Sequence, residues 1–144
     1  MKALFDTSVL VAALVGQHPR HEAAVQWLNR ALAGEFELLL CSHTLAELFA
    51  TLTSMPLKPR LSAKTAEQLI ADLLANPITL VPLEEDDCRG LLVREARLPL
   101  TGGVVYDALI ARAAEKAGVE VLLTLNPRDF LRAWPEGYER VRTF

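Results

Sequence analysis

One carboxylate interrupts an otherwise apolar opening. Asp6 follows the short run Ala3-Leu4-Phe5 and precedes Thr7-Ser8, which lead into a second apolar stretch, Val9-Leu10-Val11-Ala12-Ala13-Leu14. The first run is long enough for a buried strand and nothing more. The second has helical length, with Thr7 and Ser8 as good N-cap residues for it. A carboxylate at the carboxyl end of a first strand, facing a helix start, lies where open α/β sheets bind their ligands. Two more acids recur in comparable settings, Glu47 just inside a helix after a strand and Asp107 in the first turn of another. Acids gathered at one sheet edge repel each other unless a cation lies between them, so the pattern points to a hard divalent metal site. The three carboxylates are expected within one ion's reach, at the carboxyl edge of a parallel sheet.

The rest of the chain supports such a sheet. Strands are predicted at Lys2–Phe5, Glu37–Cys41, Ile78–Val81, Val119–Thr124 and, at an edge, Tyr138–Thr143. Helices are predicted at Thr7–Val15, His21–Ala33, Ser42–Met55, Ser62–Leu74, Glu84–Arg97 and Val105–Ala117, with a short turn or helix at Asn126–Arg132. Gly34 and Gly118 stop two of these helices, Pro56 and Pro59 mark a loop, and Gly102-Gly103 closes another. This alternation argues for a mostly parallel sheet covered by helices on both faces. With no linker, repeat or low-complexity segment, the 144 residues read as a single domain, 1–144.

Composition narrows the function classes. A hydrophobic content of 51% is enough for a substantial core, and no apolar run approaches the ~18 residues that span a bilayer. The N-terminus does not read as a signal peptide, and Cys41 and Cys88 form no disulfide framework, so no membrane partner and a cytoplasmic location are expected. A net charge of −3 offers no generic basic surface for nucleic acid, which leaves room only for a local basic rim.

Each acid also has a local explanation. Asp6 suits a helix N-terminus, as does Asp107, where an acid contributes ~0.3–1 kcal/mol. Glu47 completes Thr44-Leu45-Ala46-Glu47, which fits a capping box. Together they say more. Asp107 shares a helix face with Ile110, Ala111 and Ala114 and has no Lys or Arg there, and a buried carboxylate needs a raised pKa, a cationic partner or a metal. Glu47 has His43, Ala50, Thr51 and Ser54 beside it, a face fit to line a cleft. An oxygen donor set without paired His or Cys selects Mg²⁺ or Mn²⁺ over zinc.

Four motifs then coincide: Leu4-Phe5-Asp6-Thr7-Ser8, Ser42-x-x-x-x-Glu47 after a strand, Tyr106-Asp107-Ala108-x-Ile110-Ala111, and Leu123-Thr124-x-Asn126-x-x-Asp129-Phe130. In that order and spacing the chain resembles the PIN-domain nucleases, and within them the VapC-type toxins of bacterial toxin–antitoxin pairs, over its whole length. The resemblance implies a three-layer α/β/α sandwich and metal-dependent cleavage of RNA, with Asp6, Glu47 and Asp107 as metal-binding and catalytic residues. It further implies a structured RNA substrate such as transfer RNA, a cognate antitoxin and a homodimer. Many relatives carry an Asp where this chain has Asn126. Asp129, three residues later, either substitutes for it as a metal ligand or caps the short helix. Thr7 and Thr124 are expected to orient carboxylates through their hydroxyls, and Asn126 to offer a carbonyl or orient a water.

Other features carry less. His18 and His21 straddle Pro19 without a third ligand and read as loop and helix-start residues. Trp27 and Trp134 read as packing residues. Lys58, Arg60 and Lys64, and Arg128, Arg132, Arg140 and Arg142, form two basic groups that either touch phosphates or are ordinary surface charge. The helix Ser62–Leu74 presents Ala63, Ala66, Leu69, Ile70, Leu73 and Leu74, which suits an interface and core packing equally. An aspartyl-phosphate phosphatase would also set an Asp after its first strand, but its second Asp is replaced here by Ser8. An acid-depleted PIN domain serving as an RNA- or protein-binding scaffold is the remaining alternative, against which the three retained acids speak.

Overall fold

A computed structural model describes all residues, 1–144. Five strands, β1 (Lys2–Phe5), β2 (Glu37–Cys41), β3 (Ile78–Val81), β4 (Val121–Leu123) and β5 (Val141–Arg142), form one sheet in the order β3-β2-β1-β4-β5. Every neighbouring pair is parallel. Seven helices connect them: α1 (Thr7–Leu14), α2 (His21–Leu32), α3 (Ser42–Ser54), α4 (Ala63–Leu74), α5 (Glu85–Arg97), α6 (Val104–Ala117) and α7 (Pro127–Ala133).

Side-chain alternation along the strands divides the core in two. Ala3 and Phe5 of β1, Leu38 and Leu40 of β2 and Leu123 of β4 face one side, where they pack with residues of α1, α2, α3 and α4. Leu4, Leu39, Cys41 and Leu122 face the other, against Ile110, Ala111, Ala113 and Ala114 of α6 and Phe130 of α7. A period of two therefore supplies apolar residues to both faces, as a parallel sheet covered by helices on each side requires. The result is the three-layer α/β/α sandwich expected from the sequence.

Several boundaries differ from expectation for identifiable reasons. Asp6 itself is the N-cap position of α1, and Thr7 and Ser8 fall inside the helix. The capping box expected at Thr44 and Glu47 does not form. Helix α3 already begins at Ser42, so Thr44 lies within its first turn, with its hydroxyl buried and unpartnered. Strand β4 starts only at Val121, because Gly118 turns the chain in the left-handed region at φ 63°. The edge strand shrinks to Val141–Arg142, since Pro135–Gly137 coils into a 3₁₀ turn ahead of it. A Cβ on Gly137 would lie 2.1 Å from the Trp134 ring, which fixes glycine at that turn.

The two tryptophans pack as the sequence implied. Trp134 is buried on the α6 side of the sheet, and Trp27 stacks obliquely on Phe36 with ring centroids 6.1 Å apart. The apolar face of α4 is largely consumed by the core. Ala66 and Leu73 are buried, while Ile70 and Leu74 pack on the same cluster.

Candidate active site

Strand order decides where the site lies. Strand β1 has β2 on one side and β4 on the other, so the connections leaving β1 and β4 diverge at their carboxyl ends. Asp6 follows β1 and Thr124 follows β4, at adjacent positions of a register that pairs Phe5 with Leu123. The Asp6 backbone N–H donates to Leu123 O at 2.9 Å. Its side chain is buried, 4% exposed, and Oδ2 accepts from Ser8 Oγ at 2.6 Å and from Thr124 Oγ1 at 2.8 Å. Burial raises the Asp6 pKa, and the Ser8 and Thr124 hydroxyls pull it part of the way back. Each hydroxyl is itself fixed, Ser8 Oγ by the Leu125 N–H at 3.0 Å and Thr124 Oγ1 by the Asn126 N–H at 2.9 Å.

Glu47 arrives from the second turn of α3. Thr7 Oγ1 donates to its Oε2 at 3.4 Å, so the two threonines serve different acids, Thr7 for Glu47 and Thr124 for Asp6. His43, one turn earlier, has Nε2 3.5 Å from Glu47 Oε2 and stacks parallel on Tyr106 of α6, with centroids 5.4 Å apart. Burial, then the nearby Asp6 charge, raises the Glu47 pKa. Asp107 comes from the start of α6 and is half-buried. Burial, followed by Asp6, Asp129 and Glu47 in that order, pushes its pKa to about 7. None of the three acids forms an ion pair with Lys or Arg.

All three carboxylates line one cleft of about 600 Å³, open to solvent at the carboxyl edge of the sheet. They share it without closing on a single point. No group of three His, Cys, Asp or Glu side chains is placed to hold an ion, so the expected convergence within one ion's reach is not met. Neighbouring acids add to burial in raising the pKa values of Glu47 and Asp107, so the three charges oppose a closer approach. Asn126 also lines the cleft, while Asp129 is outside its lining. Asn126 Nδ2 donates to Asp129 Oδ2 at 2.6 Å, and Arg132 Nη1 lies 3.4 Å from Asp129 Oδ1.

Sequence reasoning gave no role at the site to His18 and Arg20, which line the cleft wall. Both sit on the loop between α1 and α2, and hydrophobic periodicity says nothing about where a loop points. The basic groups at Lys58, Arg60 and Lys64 and near the C-terminus contribute nothing to the cleft lining.

A parallel sheet in this order, with acids from β1, α3 and α6 around its switch point, defines a class of protein, the PIN domains. The chain belongs to the PIN-domain family, whose match covers residues 3–133. It is 37% identical over 137 residues to Ribonuclease VapC40 of Mycobacterium tuberculosis, covering 95% of this chain and 92% of that protein. It is also 36% identical over 116 residues to Ribonuclease VapC27 of the same organism, covering 81% and 79%. Among solved structures, VapBC2 from Rickettsia felis, bound to a DNA fragment from its promoter, superposes with a TM-score of 0.71 at 18% identity, over 100% of this chain and 99% of that one. A toxin–antitoxin complex from Klebsiella pneumoniae gives 0.66 at 20% identity, over 98% and 96%.

Proposed function

We propose that this chain is a VapC-type endoribonuclease, the toxin of a toxin–antitoxin pair acting in the cytoplasm, and that Asp6, Glu47 and Asp107 carry its chemistry. One observation bears most of the weight. Three carboxylates with no Lys or Arg partner line a single open cleft at the switch point of the sheet, in a chain 37% identical to a ribonuclease.

The donor chemistry suits a hard divalent cation, although the three acids are not drawn together around one point. It offers oxygen atoms only and has no Lys or Arg partner, and burial, with neighbouring acids adding to it at Glu47 and Asp107, raises all three pKa values. Bound by Asp6, Glu47 and Asp107, Mg²⁺ or Mn²⁺ would polarise a scissile phosphate and lower the pKa of an attacking water. The protein's own part is orientation. Ser8 and Thr124 fix one oxygen of Asp6, and Thr7 turns Glu47 toward the cleft. Asn126 supplies a neutral amide at the wall and ties in Asp129, whose charge acts on Asp107. In this reading Asp129 is a fourth, more distant carboxylate for the same cation.

The substrate on this reading is a structured RNA such as transfer RNA, and the regulator is a cognate antitoxin, which the likeness to toxin–antitoxin complexes supports. A homodimer is part of the same proposal. Leu92 and Val93 of α5, 57% and 53% exposed, give it an apolar surface outside the core.

The test is cleavage of an RNA panel by the parent chain and by Glu47→Gln, with Mg²⁺ or Mn²⁺ and with excess EDTA. Cleavage is expected only for the parent with metal, and Glu47→Gln should lose at least ~10–100-fold, the range seen on removing even a group that merely supports a ligand. Full cleavage in EDTA, or by Glu47→Gln, would transfer support to the scaffold alternative.

A further inference from the structure

The cleft that three acids line has one Lys or Arg among its wall residues, Arg20. An arginine in the wall of an acidic cleft has carboxylates to pair with, yet Arg20 forms no ion pair anywhere in the chain. Its guanidinium instead lies over the Phe144 ring, 5.4 Å from the centroid, a cation–π arrangement that occupies one face of the group and leaves its N–H donors available.

The loop that carries it is pinned on both sides. The His18 N–H donates to Val15 O at 3.0 Å and the His21 N–H to His18 O at 3.0 Å. The Arg20 N–H donates to His18 Nδ1 at 3.0 Å, and the His21 ring meets Ala12 O at 2.9 Å. Arg20 O then accepts from the Ala24 N–H, so the residue leads directly into α2. A guanidinium held on a fixed backbone loses less freedom on binding than one on a loose loop.

A polyanion approaching this cleft meets net negative charge, and the chain as a whole carries −3. A strand of RNA therefore needs a local cation to seat it, and a guanidinium matches a phosphate with two parallel hydrogen bonds. We infer that Arg20 is a substrate-positioning residue, whose guanidinium takes a backbone phosphate of the RNA strand and seats that strand across the acid cleft. The inference rests on the ribonuclease reading for its ligand, but its test does not require cleavage.

The measurement is binding of a fluorescein-labelled single-stranded RNA to the full chain in EDTA, by anisotropy, across a series of salt concentrations. Arg20→Ala is expected to weaken binding and to reduce the slope of log K against log salt by about 0.7, the value for one phosphate contact on a single strand. Arg20→Lys should keep the slope while binding more weakly than the parent, because it keeps charge but not the fork. Arg89→Ala, which removes an exposed arginine paired with Glu85 on α5, should change neither. Under cleavage conditions the Arg20→Ala defect should fall on KM more than on kcat.

Equal slopes for the parent and Arg20→Ala, an Arg89→Ala effect as large as that of Arg20→Ala, or no measurable RNA binding by the parent would each overturn the inference. A parent that binds RNA with an Arg20-dependent slope but never cleaves supports the inference and removes only the nuclease reading. Cleavage with a slope indifferent to Arg20 does the reverse.

Discussion

Asp107 exchanges its proton near neutrality. In the unfolded chain its pKa is near the ordinary 3.8, and in the fold burial and three neighbouring acids carry it to about 7. A group raised on folding leaves stability intact below the unfolded value and removes it as pH climbs toward the folded one. Asp6 and Glu47 are shifted the same way. Asp87 is shifted oppositely, held well below the usual carboxylate range by Lys116, the Glu84 N–H and Arg112, so its contribution is lost only toward more acidic pH. In metal-free buffer the protein is therefore expected to melt at a lower temperature at pH 8 than at pH 5, as followed by circular dichroism with EDTA present. Asp107→Asn should raise the pH 8 melting temperature and narrow that gap, while cleavage with metal falls at least ~10–100-fold. A parent whose melting temperature is level from pH 5 to pH 8 would remove the basis for this account.

At the same scale, the acids were legible because each stands at a break in a strong periodic pattern, just past a strand or in a first helical turn. Their hydroxyl partners were half legible. Thr124 was readable as an orienting group, whereas Ser8 was read as a cap and turned out to hold Asp6 from two residues away. Arg20 was invisible, because its position depends on the packing of α1 against α2 and on a ring more than a hundred residues distant.

Elements were read with more success than their ends. Helix α4 is met at both ends, with Ser62, read from the sequence as its cap, accepting from the Thr65 N–H at 3.1 Å and the helix closing at Leu74. The pattern of apolar residues could not say what covers them, since a core and a partner demand the same stripe. In the fold Ile70 is partly buried and packs against the first core cluster, which favours the core for it. Ile70→Asp is expected to lower the melting temperature by several degrees and to leave the mass of the folded species unchanged in light scattering. Burying an unpaired carboxylate there costs about 2 kcal/mol or more, within the range for polar groups set into apolar surroundings. An unaltered melt with a halved mass would return α4 to the list of interfaces.

Across the whole molecule, the strand order was legible only in the edge position of the last strand, since alternation predicts parallel strands but not which one lies in the middle. That order places β1, the first strand, at the centre and β5 at an edge. The helical layer around α5 leaves Leu92 and Val93 outward. If these residues form the subunit contact, Leu92→Glu with Val93→Glu should halve the mass measured by light scattering without lowering the melting temperature. A monomeric parent would remove the dimer from the proposal.

Asp6 and the Thr124 hydroxyl that holds it are separated by 118 positions, and this spacing has a bearing on manufacture. During translation Asp6 precedes the Thr124 hydroxyl, and the β4 strand beside it, by more than a hundred residues. Until those residues have been made, β1 has one open edge and Asp6 has the Ser8 hydroxyl as its one side-chain partner. A site assembled this way is completed late relative to its first acid, so a nascent chain that stops short of Thr124 carries the carboxylate without its full clamp.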